Sequence, residues 1–207
     1  MLQNRVDPFG GIIKTSARGA WTGTRGILHD EHKNIIRPFK LKAWLTCLLE
    51  FKGRKRQVMS PDRYTELFFM DEATAFSAGH RPCCECRRAD HKRFKEYWLE
   101  GNPEYGFNGR TSIQEIDKIL HRERIDGQGR KVCYDADIKD IPDGTFINVD
   151  NTPFLVTDRS MYAWSPFDYG ERSEIQKGGR VTVLTPRSIV NAFRAGYVPQ
   201  MTVFSNK

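Results

Sequence analysis

Two cysteines, Cys83 and Cys86, are the residues of this sequence whose type and spacing best suit chemistry, and they lie in the stretch AGHRPCCECRR. A C-x-x-C spacing lets two thiolates turn onto one metal ion, and the amides of the turn can hydrogen-bond to the sulfurs. A structural zinc site needs four ligands, and the chain offers no second C-x-x-C. Cys47 in LKAWLTCLLEF is the best third ligand; the alternative is that it is a small buried core residue.

The fourth ligand has several candidates: His29 and His32 in LHDEHK, His80, and Cys84. Three cysteines and one histidine form an ordinary zinc site. We therefore predict a zinc site made of Cys47, Cys83, Cys86 and His29. The competing interpretation is a packed helix end that holds no metal.

Composition limits what the cysteines can mean. The chain has 207 residues, five cysteines and a net charge of +7. This length can bury a core without disulfides, and the positive charge favours an anionic partner such as nucleic acid. The sequence shows no 18-residue apolar run and no signal-peptide pattern, so we expect a cytoplasmic protein that binds no membrane. In a reducing compartment the cysteines are expected to bind metal or to be buried.

The elements around the cysteines must position them. LKAWLTCLLEF and YTELFF are predicted strands, and Asp71 is a predicted cap for a helix over EATAFSA that stops at Gly79. A second helix is predicted over ADHKRFKEYWLEG. The cysteine turn is therefore expected between two helices. The stretch GGIIKTSARGAWTGTRGILHDEHK, rich in glycine and small side chains, suggests a loop-rich opening.

The rest of the chain predicts a different organisation. Ser112 and Glu115 make a capping box for a helix over IQEIDKILHRERI, followed by a turn-rich linker. Short strands are predicted over TFINVD, PFLVT, MYAW and RVTVLT, and Thr185 is the predicted cap of a last helix. The expected fold class is α+β, with a cysteine domain at 1–102, a helix and linker at 103–144, and a small antiparallel β-rich domain at 145–207.

The segment YTELFFMDEATAFSAGHRPCCECRR resembles the latter half of the zinc domain of the Ada family of methylphosphotriester-repair proteins. The shared features are a Phe-Phe strand end, an acidic and alanine-rich helix, and an A-G-aromatic-R-P-C-x-x-C-R turn. The resemblance covers roughly residues 47–88. It implies an Ada-like zinc domain at the N-terminus and a role in DNA repair or DNA processing.

The sequence departs from the Ada pattern at one ligand. In that family two upstream cysteines, four residues apart, complete the zinc site, and the first accepts a methyl group from DNA. Cys47 lies near the acceptor position, but Phe51 stands where its partner would be. Methyl transfer also needs an accessible zinc-bound thiolate, and Cys47 lies among leucines. We expect the scaffold and the metal here, without the transfer reaction.

Positive charge is concentrated beside the cysteine turn, where it could contact phosphates. We predict a nucleic-acid-binding protein, with DNA favoured over RNA, whose contacts come from Trp21, Arg25, Lys52, Arg54, Lys55, Arg56, Arg81, Arg87 and Arg88. One alternative is a metal-dependent hydrolase or nuclease, although no known catalytic motif supports it. A second alternative is a regulatory module that binds another protein.

Overall fold

A computed structural model describes residues 1–54, 57–175 and 178–204. Within these ranges, twelve strands form two six-stranded sheets, accompanied by four α-helices. The fold is α+β, but the predicted fold, an Ada-like part joined to a small β-rich C-terminal domain, is wrong. Strands are spread through the chain, and the segment expected to be a loop-rich opening contributes two of them.

The first sheet is mixed and comes from the N-terminal part of the chain. Its order is β2-β1-β5-β3-β4-β6, with parallel pairs at β1/β5 and β4/β6. Two of its strands, LTC and LFF, lie in segments predicted as strands. All six are two to four residues long, so an alternating hydrophobic pattern has too few positions to reveal the others in the sequence. They are β1 (Gln3–Val6), β2 (Ile12–Lys14), β3 (Trp21–Thr24), β4 (Leu45–Cys47), β5 (Leu67–Phe69) and β6 (Arg81–Pro82).

The second sheet is antiparallel throughout, in the order β11-β10-β9-β8-β12-β7. The four strands predicted in this region are confirmed as β8, β9, β10 and β12. Two further strands were not predicted: β7 lies in the predicted linker, and β11 lies between two of the predicted strands. The bounds are β7 (Tyr134–Asp137), β8 (Thr145–Val149), β9 (Thr152–Thr157), β10 (Ser160–Trp164), β11 (Tyr169–Glu174) and β12 (Arg180–Val183).

The four helices begin close to their predicted positions: α1 (Glu72–Ser77), α2 (Arg88–Gly101), α3 (Ile113–Arg124) and α4 (Arg187–Arg194). Asp71 caps α1 by accepting from the Thr74 amide at 2.8 Å, as predicted. The predicted cap of α4 is wrong, because the Thr185 hydroxyl instead accepts from the Phe146 amide in β8. No helix in the described part of the chain is long and apolar enough to cross a membrane.

Helix α1 is the centre of the packing, and all six of its residues are buried. Phe76 packs in an aromatic cluster with α2, α3 and α4, whereas Ala75 belongs to the core of the first sheet and Ala73 to a core beside the second. Small alanines let both sheets approach the helix closely. Because α1 leads through Gly79 and β6 into the cysteine turn, the start of that turn is held rigidly. The domain boundaries near 102 and 144 stay predictions.

Candidate metal centre

Parallel pairing of β4 and β6 brings Cys47 beside Cys83. The register pairs Leu45 with Arg81 and Thr46 with Pro82, so the next residue of each strand is a cysteine. The Cys83 amide continues this pairing by donating to the Thr46 carbonyl at 2.9 Å. Parallel strands end at the same edge of a sheet, and residues 36 positions apart in sequence therefore meet there.

The sulfurs of Cys47, Cys83 and Cys86 all lie within 4.8 Å of one another, which is an arrangement that can hold a metal ion. In a tetrahedral zinc site with Zn–S bonds of about 2.3 Å, sulfurs are roughly 3.8 Å apart. The three cysteines are therefore close to the required spacing. Among the described residues, no fourth histidine, cysteine or carboxylate lies as close to all three.

The turn also favours a thiolate at Cys83. A hydrogen bond with the Cys47 thiol lowers the pKa of Cys83 to about 5, against burial, with smaller contributions from the amides of Cys86 and Glu85. The Glu85 amide lies 3.4 Å from the Cys83 sulfur. The same thiol–thiol hydrogen bond, followed by burial, raises the pKa of Cys47, and burial raises that of Cys86. Of the three thiols, Cys83 is therefore the one favoured to ionise first.

Two buried arginines anchor the turn on either side. Arg81 makes a bidentate ion pair with Asp117 of α3, with both N–O distances 2.7 Å. Arg87 donates to Glu72 of α1 at 2.5 Å and lies with its guanidinium carbon 3.9 Å from the Trp21 ring centre. Charge-assisted hydrogen bonds of this kind are strong when buried. The cysteine turn is therefore fixed to two helices as well as to the sheet.

A cleft of about 350 Å³ opens beside the cysteine group. All three cysteines line it. Its wall carries aromatic, basic and acidic side chains, namely Phe51, Arg54, Tyr64, Glu66, Phe68 and Glu85. Tyr64 is 54% exposed and Arg54 pairs with Glu85 at 2.7 Å. A metal held by the three thiolates would therefore lie next to space that a ligand can enter.

The histidines are used elsewhere. His29 is buried, and its ring nitrogens lie 2.6 Å from the Thr65 hydroxyl and 3.2 Å from the Ser60 carbonyl, so it is not part of the cysteine group. His80 is also buried, between Arg25 and the Leu45 carbonyl. His32 and Cys84 are exposed. The structure brings together three of the four predicted ligands and leaves His29 apart.

The predicted phosphate-contacting residues divide by burial. Arg25, Arg81 and Arg87 are each less than 5% exposed, and Arg81 and Arg87 are neutralised by carboxylates. Trp21 is half-buried and donates to the Gln200 side chain. Arg81 and Arg87 are held by carboxylates, and Arg25 and Trp21 are held by hydrogen bonds away from the cysteine cleft, so none of the four offers an exposed contact to a nucleic-acid backbone there. The sequence prediction missed their partners because those partners are distant in the chain.

The exposed members of the predicted set are Lys52, Arg54 and Arg88. Lys55 and Arg56 lie outside the described residues. Two side chains that the sequence prediction missed, Tyr64 and Phe68, line the cleft with Arg54. Both residues belong to the predicted strand segment YTELFF, but a strand pattern does not indicate which of its residues border a cleft.

Comparison with known proteins adds no assignment. The chain matches no protein-family model, no curated protein and no solved structure.

Proposed function

We propose that the protein binds zinc through Cys47, Cys83 and Cys86 and binds nucleic acid along the adjoining cleft. The observation that carries this proposal is the cleft itself, where three clustered cysteines border exposed aromatic and basic side chains. His29 has no part in the proposal. The resemblance to the Ada family supports the same pairing of a cysteine-bound metal with nucleic acid.

Zinc is proposed because the donor set consists of three cysteine sulfurs, one at the end of β4 and two on a rigid turn. Thiolates favour soft or borderline ions, and the amides around Cys83 stabilise negative charge on sulfur. When bound, the ion would supply positive charge and a crosslink between β4 and the cysteine turn. The chain's own contribution is to hold the three sulfurs in place through the paired strands and the two anchoring arginines.

The cleft has the two features that single-stranded nucleic acid requires. Tyr64 and Phe51 offer aromatic rings on which bases could stack, at about 1–3 kcal/mol per base. Lys52, Arg54 and Arg88 are exposed cations near this surface in sequence, and Arg54 lines the cleft directly. Such a surface would bind with strong salt dependence and little sequence preference. DNA is the first ligand to test, because the Ada resemblance implies DNA.

Metal content tests the first half of the proposal. Elemental analysis of the purified protein should give one zinc per chain, and Cys83→Ser or Cys86→Ser should lose it and lower the melting temperature. Cys84→Ser is the matched control, because Cys84 is exposed and outside the cysteine group. A metal-free wild-type protein whose melting temperature is unchanged by Cys83→Ser would overturn the zinc site.

A fluorescence titration tests the second half. Single- and double-stranded oligonucleotides should bind, with log affinity falling against log salt by about 0.7 to 0.9 per phosphate contact. Changing Lys52, Arg54 and Arg88 to alanine should lower that slope by about two, at roughly one unit per lost contact. The charge-matched control changes Arg110, Lys139 and Arg159, which are equally exposed elsewhere. A zinc-loaded protein that binds no oligonucleotide would overturn this half alone.

One observation favours a second candidate, a metal-dependent hydrolase acting on nucleic acid. Glu66 and Glu85 line the cleft beside the cysteines, and a carboxylate near an incompletely coordinated metal can serve as a general base. Glu66 already accepts from the Met59 amide at 2.8 Å, and Glu85 pairs with Arg54. Zinc-dependent cleavage of an oligonucleotide that is lost in Glu66→Gln would favour the hydrolase over simple binding.

A further inference from the structure

A second cavity, of about 540 Å³, lies apart from the cysteine group. It is bordered by the turn that follows β1, by the segment 35–38 and by the end of α3. None of the three clustered cysteines lines it. We call it the Trp44 pocket, after a fully buried tryptophan in its lining.

Arg25 in this pocket has an unused donor. It is 1% exposed; its Nε donates to His80 at 2.9 Å and its Nη1 to the Gly10 carbonyl at 2.9 Å. Its Nη2 has no hydrogen-bond partner within the described residues. A Cβ on Gly10, which also lines the pocket, would lie 3.8 Å from that nitrogen. Arg25 thus borders the pocket with a guanidinium that is buried and only partly hydrogen-bonded.

Arg124 brings a second cation to the same place. It is also 1% exposed; it donates to the carbonyls of Gly79 and Lys42, and its Nε is without a partner in the described structure. The guanidinium carbons of Arg25 and Arg124 both lie 3.9 Å from the Trp44 ring centre. Neither arginine makes an ion pair with a carboxylate among the described residues.

The charge around the pocket is unbalanced. Lys131 adds a third cation, and its amine donates to the Ser77 carbonyl. Asp7 is the carboxylate that acts on Arg25, and burial raises its own pKa. Burial also lowers the pKa of Arg25 to about 9 and that of Lys131 to about 7. Buried cations are costly unless an anion compensates them. Asp7 also acts on Lys131, and Asp117, the carboxylate that acts on Arg124, is already paired with Arg81.

The remaining wall is apolar. Phe9, Ile12, Ile35 and Pro38 border the space, and Ile36 is 55% exposed at its edge. A cavity with unpaired cationic donors at one part and aliphatic walls at another suits a ligand with a charged head and an apolar body. Water in the cavity would not compensate the positive charge around it.

We propose that the Trp44 pocket binds a small organic anion, whose carboxylate or phosphate lies against the basic side chains of the lining and whose apolar body lies against Ile12, Ile35 and Pro38. The two headgroups share the chemistry of a compact oxyanion. The site is independent of the metal centre, because its lining residues are different.

Calorimetric titration of the wild-type protein tests the pocket with four probes: benzoate, phenyl phosphate, inorganic phosphate and benzyl alcohol. Benzoate or phenyl phosphate should bind saturably and raise the melting temperature, and the tighter of the two identifies the headgroup. Inorganic phosphate should bind more weakly because it has no apolar body, and neutral benzyl alcohol should not bind. Absence of saturable binding by both aromatic anions at up to about 10 mM would overturn the proposal.

Two exposed charge reversals locate the binding without disturbing buried arginines. Arg37→Glu, in the pocket lining, should weaken the better aromatic anion by about tenfold, or about 1.4 kcal/mol. Arg18→Glu makes the same change in net charge at an exposed position outside the lining and should leave affinity nearly unchanged. Equal weakening by both variants would indicate general electrostatic attraction and would count against the pocket.

Discussion

Arg81 and Asp117 form a buried bidentate ion pair that ties the strand before the cysteines to the helix α3, with both N–O distances 2.7 Å. Both side chains are about 5% exposed or less. The pair spans 36 residues of sequence and places an N-terminal strand against the middle of the chain. Its position explains how a turn with three cysteines is held without support from a disulfide.

Breaking this pair from one side should be costly. Arg81→Ala would leave the Asp117 carboxylate buried and unpaired, so we expect a loss of about 3–5 kcal/mol in the free energy of unfolding. Urea denaturation measures it. Arg54→Ala is the control, because it breaks an exposed pair with Glu85 and should cost no more than about 1 kcal/mol. Similar losses in the two variants would contradict a structural role for the buried pair.

Removing the charge of Glu85 should strengthen nucleic-acid binding. Glu85 lies 2.7 Å from Arg54 in the cleft and partly neutralises it. Glu85→Gln would leave Arg54 fully available to phosphate, and we expect about a threefold to tenfold gain in oligonucleotide affinity at low salt, fading as salt screens the surface. Glu104→Gln, a change of the same charge at an exposed site after α2, should have little effect. Fluorescence titration at two salt concentrations distinguishes the two variants.

The pH dependence of stability should carry a signature of Lys131. Burial, with Arg25 and Arg124 adding to it and Cys133 and Asp7 opposing, lowers the pKa of Lys131 from 10.5 to about 7. Between these values the unfolded chain binds a proton that the folded protein has lost, so stability from this group rises with pH across that window. Below about pH 7 the cost of the buried charge is present in full.

Lys131→Met should therefore stabilise the protein most at pH 6, and its advantage should shrink steadily towards pH 10. Loss of the hydrogen bond to the Ser77 carbonyl offsets part of the gain, by about 1 kcal/mol, at every pH. Melting temperatures of the two proteins at pH 6, 8 and 10 give the comparison. A difference that does not vary with pH would show that Lys131 is solvated as in the unfolded chain.

Gly79 should tolerate no side chain. Its φ of +85° disfavours other residues, and a Cβ would lie 2.5 Å from the Cδ and 2.8 Å from the Cβ of Arg124. We expect Gly79→Ala to cost about 2 kcal/mol or more in unfolding free energy. Gly53→Ala is the matched control, because Gly53 has a φ of +63° and no atom within 4 Å. The excess cost of the Gly79 variant isolates the contact with Arg124.

Local features of this protein could be predicted from sequence because local chemistry decides them. Asp71 followed by an alanine-rich segment and Gly79 specifies a capped helix and its end, since the cap and the positive φ depend on neighbouring residues only. The apolar stripe of α3 was equally visible, because helical periodicity repeats over twelve residues. The C-x-x-C turn was also recognisable from sequence, because its two cysteines are only three residues apart.

Contacts between residues far apart in the sequence determined the remaining features of the fold. Strands of two to four residues carry little pattern, so only β4 and β5 of the first sheet were predicted from sequence. The parallel pairing of β4 with β6, which sets Cys47 beside Cys83, emerged only in the folded chain. The charge of Arg25, Arg81 and Arg87 was evident from sequence, but their burial was not. Arg81 and Arg87 are buried where a carboxylate, Asp117 or Glu72, pairs with them, and tertiary packing determines where those carboxylates lie.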